Sequence, residues 1–268
     1  LIATRMALTA ALIVPVIIFA PRYTLAAAML LTLDYWTILA NALNLPMERY
    51  ITRWYYNDAK RILRSMPHLK IIGITGSFGK TSTKHFLYRV LSERYNVLMT
   101  PGNFNTTLGV VRTVREHLKP HHEVFIVEMG AKQRGDIKEI CDLVQPEMGI
   151  ITSVGEMHLE TFGSVESVAR TKFELIDALP EGGFGIVNID SEAAARYIAD
   201  NAIKVHSYAV EAAEADYRAV DIQYGSADTR FGVAKRDGLD EGYATHILGR
   251  GNLLNITAAL AVAEHMGV

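Results

Sequence analysis

The feature that most constrains the fold is a glycine-rich turn between an apolar segment and an amphipathic one. Residues 69–75 form a short apolar run with β-branched side chains, and residues 76–81 read Gly-Ser-Phe-Gly-Lys-Thr. From there to about Arg94 the sequence has the period of a helix that is apolar on one face. A strand, a glycine-rich turn and a helix in this order predict a loop that binds phosphate groups.

The loop combines backbone amides with a cation and a hydroxyl. We expect the glycines to let backbone N–H groups approach phosphate oxygens, Lys80 to reach the β- and γ-phosphates, and the Thr81 hydroxyl to hold Mg²⁺. The predicted nucleotide-binding residues of this segment are Thr75, Gly76, Ser77, Phe78, Gly79, Lys80, Thr81 and Ser82. The spacing departs from the common GxxxxGK[ST] rule, because position 74 is Ile. A glycine-rich turn with a chance lysine is the alternative.

Strand and helix patterns alternate over the rest of the chain. The predicted strands lie at 96–100, 123–128, 148–153 and 185–188, and the predicted helices at 107–118, 135–144, 164–178, 191–201 and 252–265. This alternation is typical of a doubly wound, mainly parallel sheet. Residues 217–248 are richer in strands and turns, which predicts a small antiparallel annex. The expected fold class is α/β: a mainly parallel, doubly wound P-loop sheet with that annex, preceded by N-terminal hydrophobic helices.

Three polar side chains follow or end these predicted strands. Glu128 ends an apolar strand, at the edge where open α/β sheets bind ligands, and a carboxylate there suits Mg²⁺. His158 follows the next strand, and Lys172 lies on the helix after it. Taken singly, each has an ordinary alternative: a surface glutamate, a loop histidine and a solvated lysine.

Composition narrows the class of protein. Of the 268 residues, 50% are hydrophobic, which is enough to bury a core and excludes a disordered chain. The net charge of −2 argues against a nucleic-acid binder dominated by phosphate contacts. Cys141 is the one cysteine in the sequence, so a disulfide or a cysteine zinc site within one chain is excluded.

The N-terminal region has a different composition. From Met6 to Met47 only Arg22 and Asp34 are charged. Two apolar stretches, 6–20 and 24–45, approach the roughly 20 residues that a membrane-spanning helix needs. We expect two transmembrane helices joined by a turn. A signal peptide and a soluble helical hairpin are the alternatives.

Basic and aromatic residues interleave in the next segment. Between Glu48 and Lys70, six basic residues stand against two acidic ones. The positive-inside tendency would place this side of a membrane in the cytoplasm. We expect an interfacial helix here, with a solvated linker helix as the alternative.

Five motifs, in order, resemble the central ATPase domain of the Mur ligase family. They read TGSFGKTSTK, PGNFNTTLGV, VEMGAKQRGDI, SVGEMHLETFGSVESVARTKFEL and GRGNLLNITAALAVA. The resemblance covers about residues 69–268 and is greatest to the members that add D-alanyl-D-alanine. For residues 1–66 it is looser, to membrane-anchored bacterial relatives. The implied domains are 1–47 (hydrophobic, transmembrane helices), 48–66 (basic aromatic linker helix) and 67–268 (Mur-ligase-like central ATP-binding domain).

The resemblance implies roles for residues around the phosphates. Thr81 and Glu128 match Mg²⁺ ligands, and His158 matches the histidine at a second metal ion. Lys172 matches a lysine that is carbamylated in many members, which converts a cation into an anionic metal ligand. Lys80, Lys172 and His158 are the implied catalytic residues.

It also implies roles for three asparagines. Asn105 matches a substrate-side asparagine, and Asn252 and Asn255 match the segment that meets adenine. The sequence departs from the family pattern at Gly251, where a histidine is usual, and at Phe78, where a small or polar residue is usual.

The implied function is that of an ATP-dependent ligase which forms amide bonds in peptidoglycan precursor synthesis through an acyl phosphate. The implied cofactors are ATP and two Mg²⁺ ions. The implied partners are a cell-wall precursor, either a UDP-muramoyl peptide or lipid-linked, an amino acid or dipeptide, and membrane lipid, but no nucleic acid. The implied location is the bacterial inner membrane, with the ATP domain on the cytoplasmic side. Since the family's third domain does not follow Val268, we expect an ATP-binding core. The alternatives are a folylpolyglutamate-synthase-like ligase and a catalytically incomplete, membrane-associated nucleotide-binding subunit.

Overall fold

The computed structural model describes residues 2–19, 32–157, 159–235 and 238–268. The chain divides into two compact units, Leu1–Asp58 and Ala59–Val268. Helix α1 (Ile2–Phe19) lies in the first unit, and α2 (Leu33–Arg64) begins there and ends in the second. The division predicted from the sequence, at residues 47 and 66, stays a prediction.

The N-terminal helices correct one expectation. In the part of the chain that the structure describes, no helix is long and apolar enough to cross a membrane. The inner-membrane location expected from the sequence is therefore wrong, and the predicted transmembrane helices and membrane-lipid partner are not supported. Within the predicted span 24–45, α2 carries Asp34, whose charge disfavours hydrocarbon. Residue 20 and residues 24–31 of the predicted spans lie outside the described residues.

The second unit is built on one sheet, in which the described strands number nine. They are β1 (Lys70–Thr75), β2 (Val97–Met99), β3 (Val124–Glu128), β4 (Met148–Ile151), β5 (Phe184–Asn188), β6 (His206–Ala209), β7 (Tyr217–Tyr224), β8 (Thr229–Lys235) and β9 (Gly238–Thr245). Their order is β2-β3-β1-β4-β5-β6-β7-β8-β9. Neighbours are parallel from β2 to β7 and antiparallel from β7 to β9. The predicted α/β class with a mainly parallel sheet is confirmed, and the annex corresponds to β7–β9.

Helices connect the parallel strands and cover both faces of the sheet. They are α3 (Lys80–Leu91), α4 (Thr107–Glu116), α5 (Asp136–Val144), α6 (Leu159–Phe162), α7 (Val165–Asp177), α8 (Glu192–Asn201) and α9 (Arg250–His265). The helical segments expected at 107–118, 135–144, 164–178, 191–201 and 252–265 are all present, with ends that differ by one or two residues.

Strand β1 shows how the two layers of helices are separated. Ile72 and Ile74 belong to one buried cluster with Leu87 of α3 and Ala259 of α9. Successive strand residues point to opposite faces, so the residue between them, Gly73, faces the other layer. A Cβ atom at Gly73 would lie 2.6 Å from Cδ1 of Leu175 in α7. Glycine therefore lets α7 pack directly on the sheet.

Candidate functional site

The loop between β1 and α3 is fixed by the segment that follows β4. Gly76 has a φ of +150°, and a Cβ atom there would lie 2.0 Å from Oγ1 of Thr152. The N–H of Ser77 donates to the carbonyl oxygen of Ser153 at 2.9 Å, and the N–H of Phe78 donates to its Oγ at 2.8 Å. A side chain at position 76 would push these two segments apart, which accounts for the glycine.

The amino end of α3 is open to an anion. The residue before the helix is Gly79, and no side chain caps the first turn. The first N–H groups of a helix have no partner within it, and the helix dipole adds positive potential there. The predicted residues Thr81 and Ser82 lie in this first turn. Phe78 precedes it with 64% of its surface exposed.

Lys80 is folded back over its own loop. Its Nζ donates to the carbonyl oxygens of Gly76 at 2.6 Å and Ser77 at 3.2 Å. Burial lowers the pKa of Lys80, and the carboxylate of Glu128 opposes that shift. The ammonium group therefore lies at the loop where phosphate oxygens are expected.

The buried carboxylate of Glu128, at the end of β3, is the centre of a polar cluster. Oγ1 of Thr81 lies 3.2 Å from Oε1 and 3.1 Å from Oε2, and Nδ2 of Asn105 lies 3.3 Å from Oε1. The Nζ of Lys84 lies 2.9 Å from Oε2. The structure thus brings together the predicted residues Thr81, Glu128 and Asn105.

Lys84 was not predicted from the sequence. It lies one turn after Lys80 on the buried face of α3, together with Leu87 and Leu91, and it has no exposed surface. The sequence does contain a signal for this position. Lys84, Leu87 and Leu91 have i, i+3 and i+7 spacing, which places the lysine on the apolar face of the helix.

The donor set at Glu128 fits Mg²⁺. This ion prefers oxygen ligands and usually keeps several waters, with only one or two carboxylates from the protein. The Thr81 hydroxyl and the Glu128 carboxylate, already within hydrogen-bond distance, match that requirement. Among the described residues there is no group of three or more His, Cys, Asp or Glu side chains that could hold a metal. The predicted ligand His158 lies outside the described residues.

Lys172, on α7, is 4% exposed. Burial and, to a smaller extent, the positive charge of Lys80 lower its pKa to about 8, against the opposing effect of Asp136 and Glu174. The amine is therefore close enough to Lys80 to feel its charge and is partly uncharged at neutral pH.

Of the two asparagines of α9, one lies beside the phosphate loop. Oδ1 of Asn255 accepts a hydrogen bond from Oγ1 of Thr83 in α3 at 3.1 Å. Nδ2 of Asn252 instead donates to the carbonyl oxygen of Leu248 at 2.8 Å. The contact between α3 and α9 joins residues 172 positions apart, which sequence patterns alone do not locate.

Three comparisons with known proteins point to one family. Residues 74–263 match the Mur ligase middle domain. The UDP-N-acetylmuramoyl-tripeptide–D-alanyl-D-alanine ligase of Bacillus subtilis (strain 168) is 32% identical in an alignment of 205 residues that covers 74% of this chain and 42% of that protein. The same-named ligase of Escherichia coli (strain K12) is 31% identical over 81% of this chain and 48% of its own length. The chain thus spans about half the length of these curated relatives.

Solved structures agree with this match. MurF from Acinetobacter baumannii has a TM-score of 0.72 at 29% identity, covering 80% of this chain and 46% of that one. The structure of an FPGS–AMPPCP–folate complex has a TM-score of 0.57 at 16% identity, which shows a shared fold alone. The family match covers well over half of the 268 residues, with its amino end in β1, just before the phosphate loop, and its carboxyl end in α9. The chain therefore belongs to the Mur ligase family, whose middle domain it contains.

Proposed function

We propose that this chain provides the ATP-binding part of a ligase that joins a carboxylate to an amine in peptidoglycan precursor synthesis. The relatives' name suggests a UDP-N-acetylmuramoyl tripeptide and D-alanyl-D-alanine as the two substrates. The observation that carries the proposal is the pairing of Thr81 with Glu128 beside Lys80, at the uncapped amino end of α3. No comparable observation favours a folate-type substrate.

The proposed reaction has two steps. A carboxylate oxygen of the acceptor attacks the γ-phosphorus of ATP, and ADP leaves, which gives an acyl phosphate. The amine nitrogen then attacks the acyl carbon, inorganic phosphate leaves, and the nitrogen loses a proton. Phosphoryl transfer depends mostly on positioning and on neutralising charge.

In this scheme, residues of the loop bind and orient the nucleotide. Lys80 and the first N–H groups of α3 bind the β- and γ-phosphates. Thr81 and Glu128 hold Mg²⁺, which neutralises phosphate charge when it is bound. Asn255, which contacts α3 through Thr83, is on the nucleotide side.

The remaining predicted residues are assigned by their position relative to that nucleotide. Asn105 contacts Oε1 of Glu128, so we place the acceptor carboxylate on that side of the site. We assign Asn252 to the adenine side with Asn255, although its amide group bonds within its own helix turn. His158 is assigned to a second metal ion on the strength of the resemblance.

We also propose that Lys172 becomes carbamylated. With a pKa of about 8, about a tenth of its amine is uncharged at pH 7, compared with less than about a thousandth for an ordinary lysine. The nitrogen bonds to the carbon of CO₂ and releases a proton, so a buried cation becomes an anion near Lys80. That anion would be an additional metal ligand.

Two experiments test these proposals. Calorimetric titration of the folded chain with ADP should show binding that requires Mg²⁺, and its absence would overturn the ATP site. With the intact protein, phosphate release from ATP should require the muramoyl tripeptide together with D-alanyl-D-alanine. Release with a folate acceptor and glutamate instead would reassign the substrate.

For the carbamate, the measurement is a ¹³C NMR spectrum in ¹³C-bicarbonate. A carbamate resonance should be present in the wild type and absent from Lys172→Ala. The Lys172→Ala protein should be inactive and regain part of its activity with a small added carboxylate. A wild-type spectrum without the resonance would contradict the proposal.

A further inference from the structure

We propose that Lys84 is a positioning residue, which fixes the Glu128 carboxylate and the loop 100–105 relative to each other. The inference rests on the proposed function in one respect: the value of this arrangement is the binding of a Mg²⁺–nucleotide complex at Thr81 and Glu128. Nothing in the roles already assigned to the phosphate loop requires a second buried lysine one turn further along α3.

The three donors of the Lys84 ammonium group have three acceptors. The Nζ atom lies 2.9 Å from the carbonyl oxygen of Thr100, 2.6 Å from that of Gly102 and 2.9 Å from Oε2 of Glu128. Two of these acceptors belong to the segment that follows β2, and the third ends β3. The ammonium group therefore joins two segments that are 26 or more residues apart in the sequence.

The same loop is held to Glu128 from its other end. Nδ2 of Asn105 donates to Oε1 at 3.3 Å, and the carbonyl oxygen of Asn105 accepts from the N–H of Gly130 at 2.7 Å. The N–H of Glu128 itself donates to Oγ1 of Thr100 at 3.1 Å. The carboxylate and the loop are thus cross-linked at several points, and Lys84 supplies the charged one.

This arrangement assigns different tasks to the two carboxylate oxygens. Oε2 is engaged by Lys84 and Oε1 by Asn105, while the Thr81 hydroxyl lies 3.1–3.2 Å from both. The carboxylate is therefore held against rotation before any cation binds. The Lys84–Glu128 pair also carries no net charge, so a divalent cation gains its main attraction from phosphate oxygens rather than from this pair.

A purely structural explanation is weaker. A buried ion pair is a poor source of stability, because removing two charges from water costs about as much as their attraction returns. A methionine would fill the same space on the apolar face of α3 without that cost. We therefore attribute the fully buried ammonium group of Lys84 to its role in positioning the Glu128 carboxylate and the loop 100–105.

The first test measures the loop in the absence of nucleotide. Hydrogen exchange of a peptide covering residues 100–105 is compared in the wild type, Lys84→Met and the matched control Lys138→Met. Lys138 pairs with Asp142 at 2.8 Å, but both side chains are more than half exposed. Exchange in this loop should be at least tenfold faster in Lys84→Met and unchanged in Lys138→Met. Equal exchange in all three proteins would overturn the proposal.

The second test separates positioning from stability. ADP is titrated with and without Mg²⁺, at a temperature where circular dichroism shows each variant folded. Lys84→Met should reduce the Mg²⁺-dependent gain in ADP affinity at least tenfold, whereas in a Glu128→Gln background the same substitution should change it less than twofold. A Lys84→Met protein that is only less stable, with the Mg²⁺ gain intact, would contradict a positioning role.

The two outcomes remain distinguishable from failure of the proposed function. If the wild type shows no Mg²⁺-dependent ADP binding, the proposed function fails, and the exchange experiment still decides the role of Lys84. If Lys84→Met does not fold, the Lys84→Met/Glu128→Gln protein, which buries neither charge, replaces it. Loop exchange that stays at the wild-type rate in that double variant would overturn the proposal.

Discussion

Two ion pairs that involve strands of the same sheet have nearly equal lengths and different surroundings. At the carboxyl edge of the parallel strands, Lys84 and Glu128 lie 2.9 Å apart with side chains that are 0% and 2% exposed. In the antiparallel annex, Lys235 and Asp240 lie 2.7 Å apart, but their side chains are 19% and 44% exposed. The two pairs therefore differ in their exposure to solvent and not in their length.

The difference shows where charge has been placed for a purpose other than stability. The side chains of an exposed pair are solvated in both the folded and the unfolded state, so the pair contributes little to the free energy of unfolding. In a buried pair, each charge is stabilised by the other. Removing one side chain leaves a buried charge that neither water nor a partner stabilises. The parallel region concentrates such groups at the end of β3 and on α3, whereas the annex keeps its charges at the surface.

The largest expected effect is that of Glu128→Gln, which leaves Lys84 charged and buried. We expect the free energy of unfolding to fall by about 3–5 kcal/mol, measured by urea denaturation. Adding Lys84→Met to this variant should restore most of the loss, since both charges are then gone. A Glu128→Gln protein within about 1 kcal/mol of the wild type would remove the contrast with the annex.

A second effect depends on pH and concerns Lys172. Its pKa falls from 10.5 to about 8 in the folded chain, so between these values the unfolded state binds more protons and stability rises with pH. The Lys172→Met variant lacks this pH-dependent contribution to stability. In carbonate-free buffer, the stability of the wild type relative to Lys172→Met should therefore rise by about 2 kcal/mol from pH 7 to pH 10. A difference that is flat with pH would show that the amine is not buried in solution.

The third effect is on nucleotide binding rather than on folding. Lys80→Ala removes the charge that meets the phosphates and should weaken ADP binding at least tenfold, or about 1.4 kcal/mol, by calorimetry. Lys235→Ala, a lysine of the annex, is the control and should bind ADP as the wild type does. Unchanged affinity in a folded Lys80→Ala protein would contradict the phosphate-loop assignment.

The smallest effect is expected for Asp240→Asn, which makes the same carboxylate-to-amide change in the annex as Glu128→Gln makes at the site. Stability should fall by less than about 1 kcal/mol, and the difference should shrink further in high salt, because the pair is screened. A loss comparable to that of Glu128→Gln would mean that the annex pair is shielded from water.

The sequence predicted the residues whose position follows from local order. Gly76 to Thr81 follow a strand and open a helix, and Glu128 ends an apolar strand, so both were identified from the pattern. Lys172 was identified only through the family motif, because a lysine on a helix is usually solvated. Lys84 was missed for the same reason, although its spacing to Leu87 and Leu91 places it on the buried face.

Other features depend on contacts that no local pattern encodes. Asn255 contacts Thr83 only because α9 packs beside α3. The pKa of Lys172 depends on burial under the folded chain and on Lys80, 92 residues earlier in the sequence. The expected membrane spans are not supported, since apolar composition alone does not distinguish a span from other helical segments.

The packing of α7 on β1 connects the hydrophobic core with the position of the Lys172 amine. Leu175 lies against two backbone positions of the sheet: a Cβ atom would come within 2.6 Å of it at Gly73 and within 3.0 Å at Gly149. Lys172 is three residues before Leu175, on the same side of the helix. A methyl group at either glycine would have to displace the Leu175 side chain, which is fully buried on the helix that carries the amine. In a saturation-mutagenesis screen for activity, these two interior glycines should rank among the least tolerant positions, although neither has a side chain that could touch a ligand.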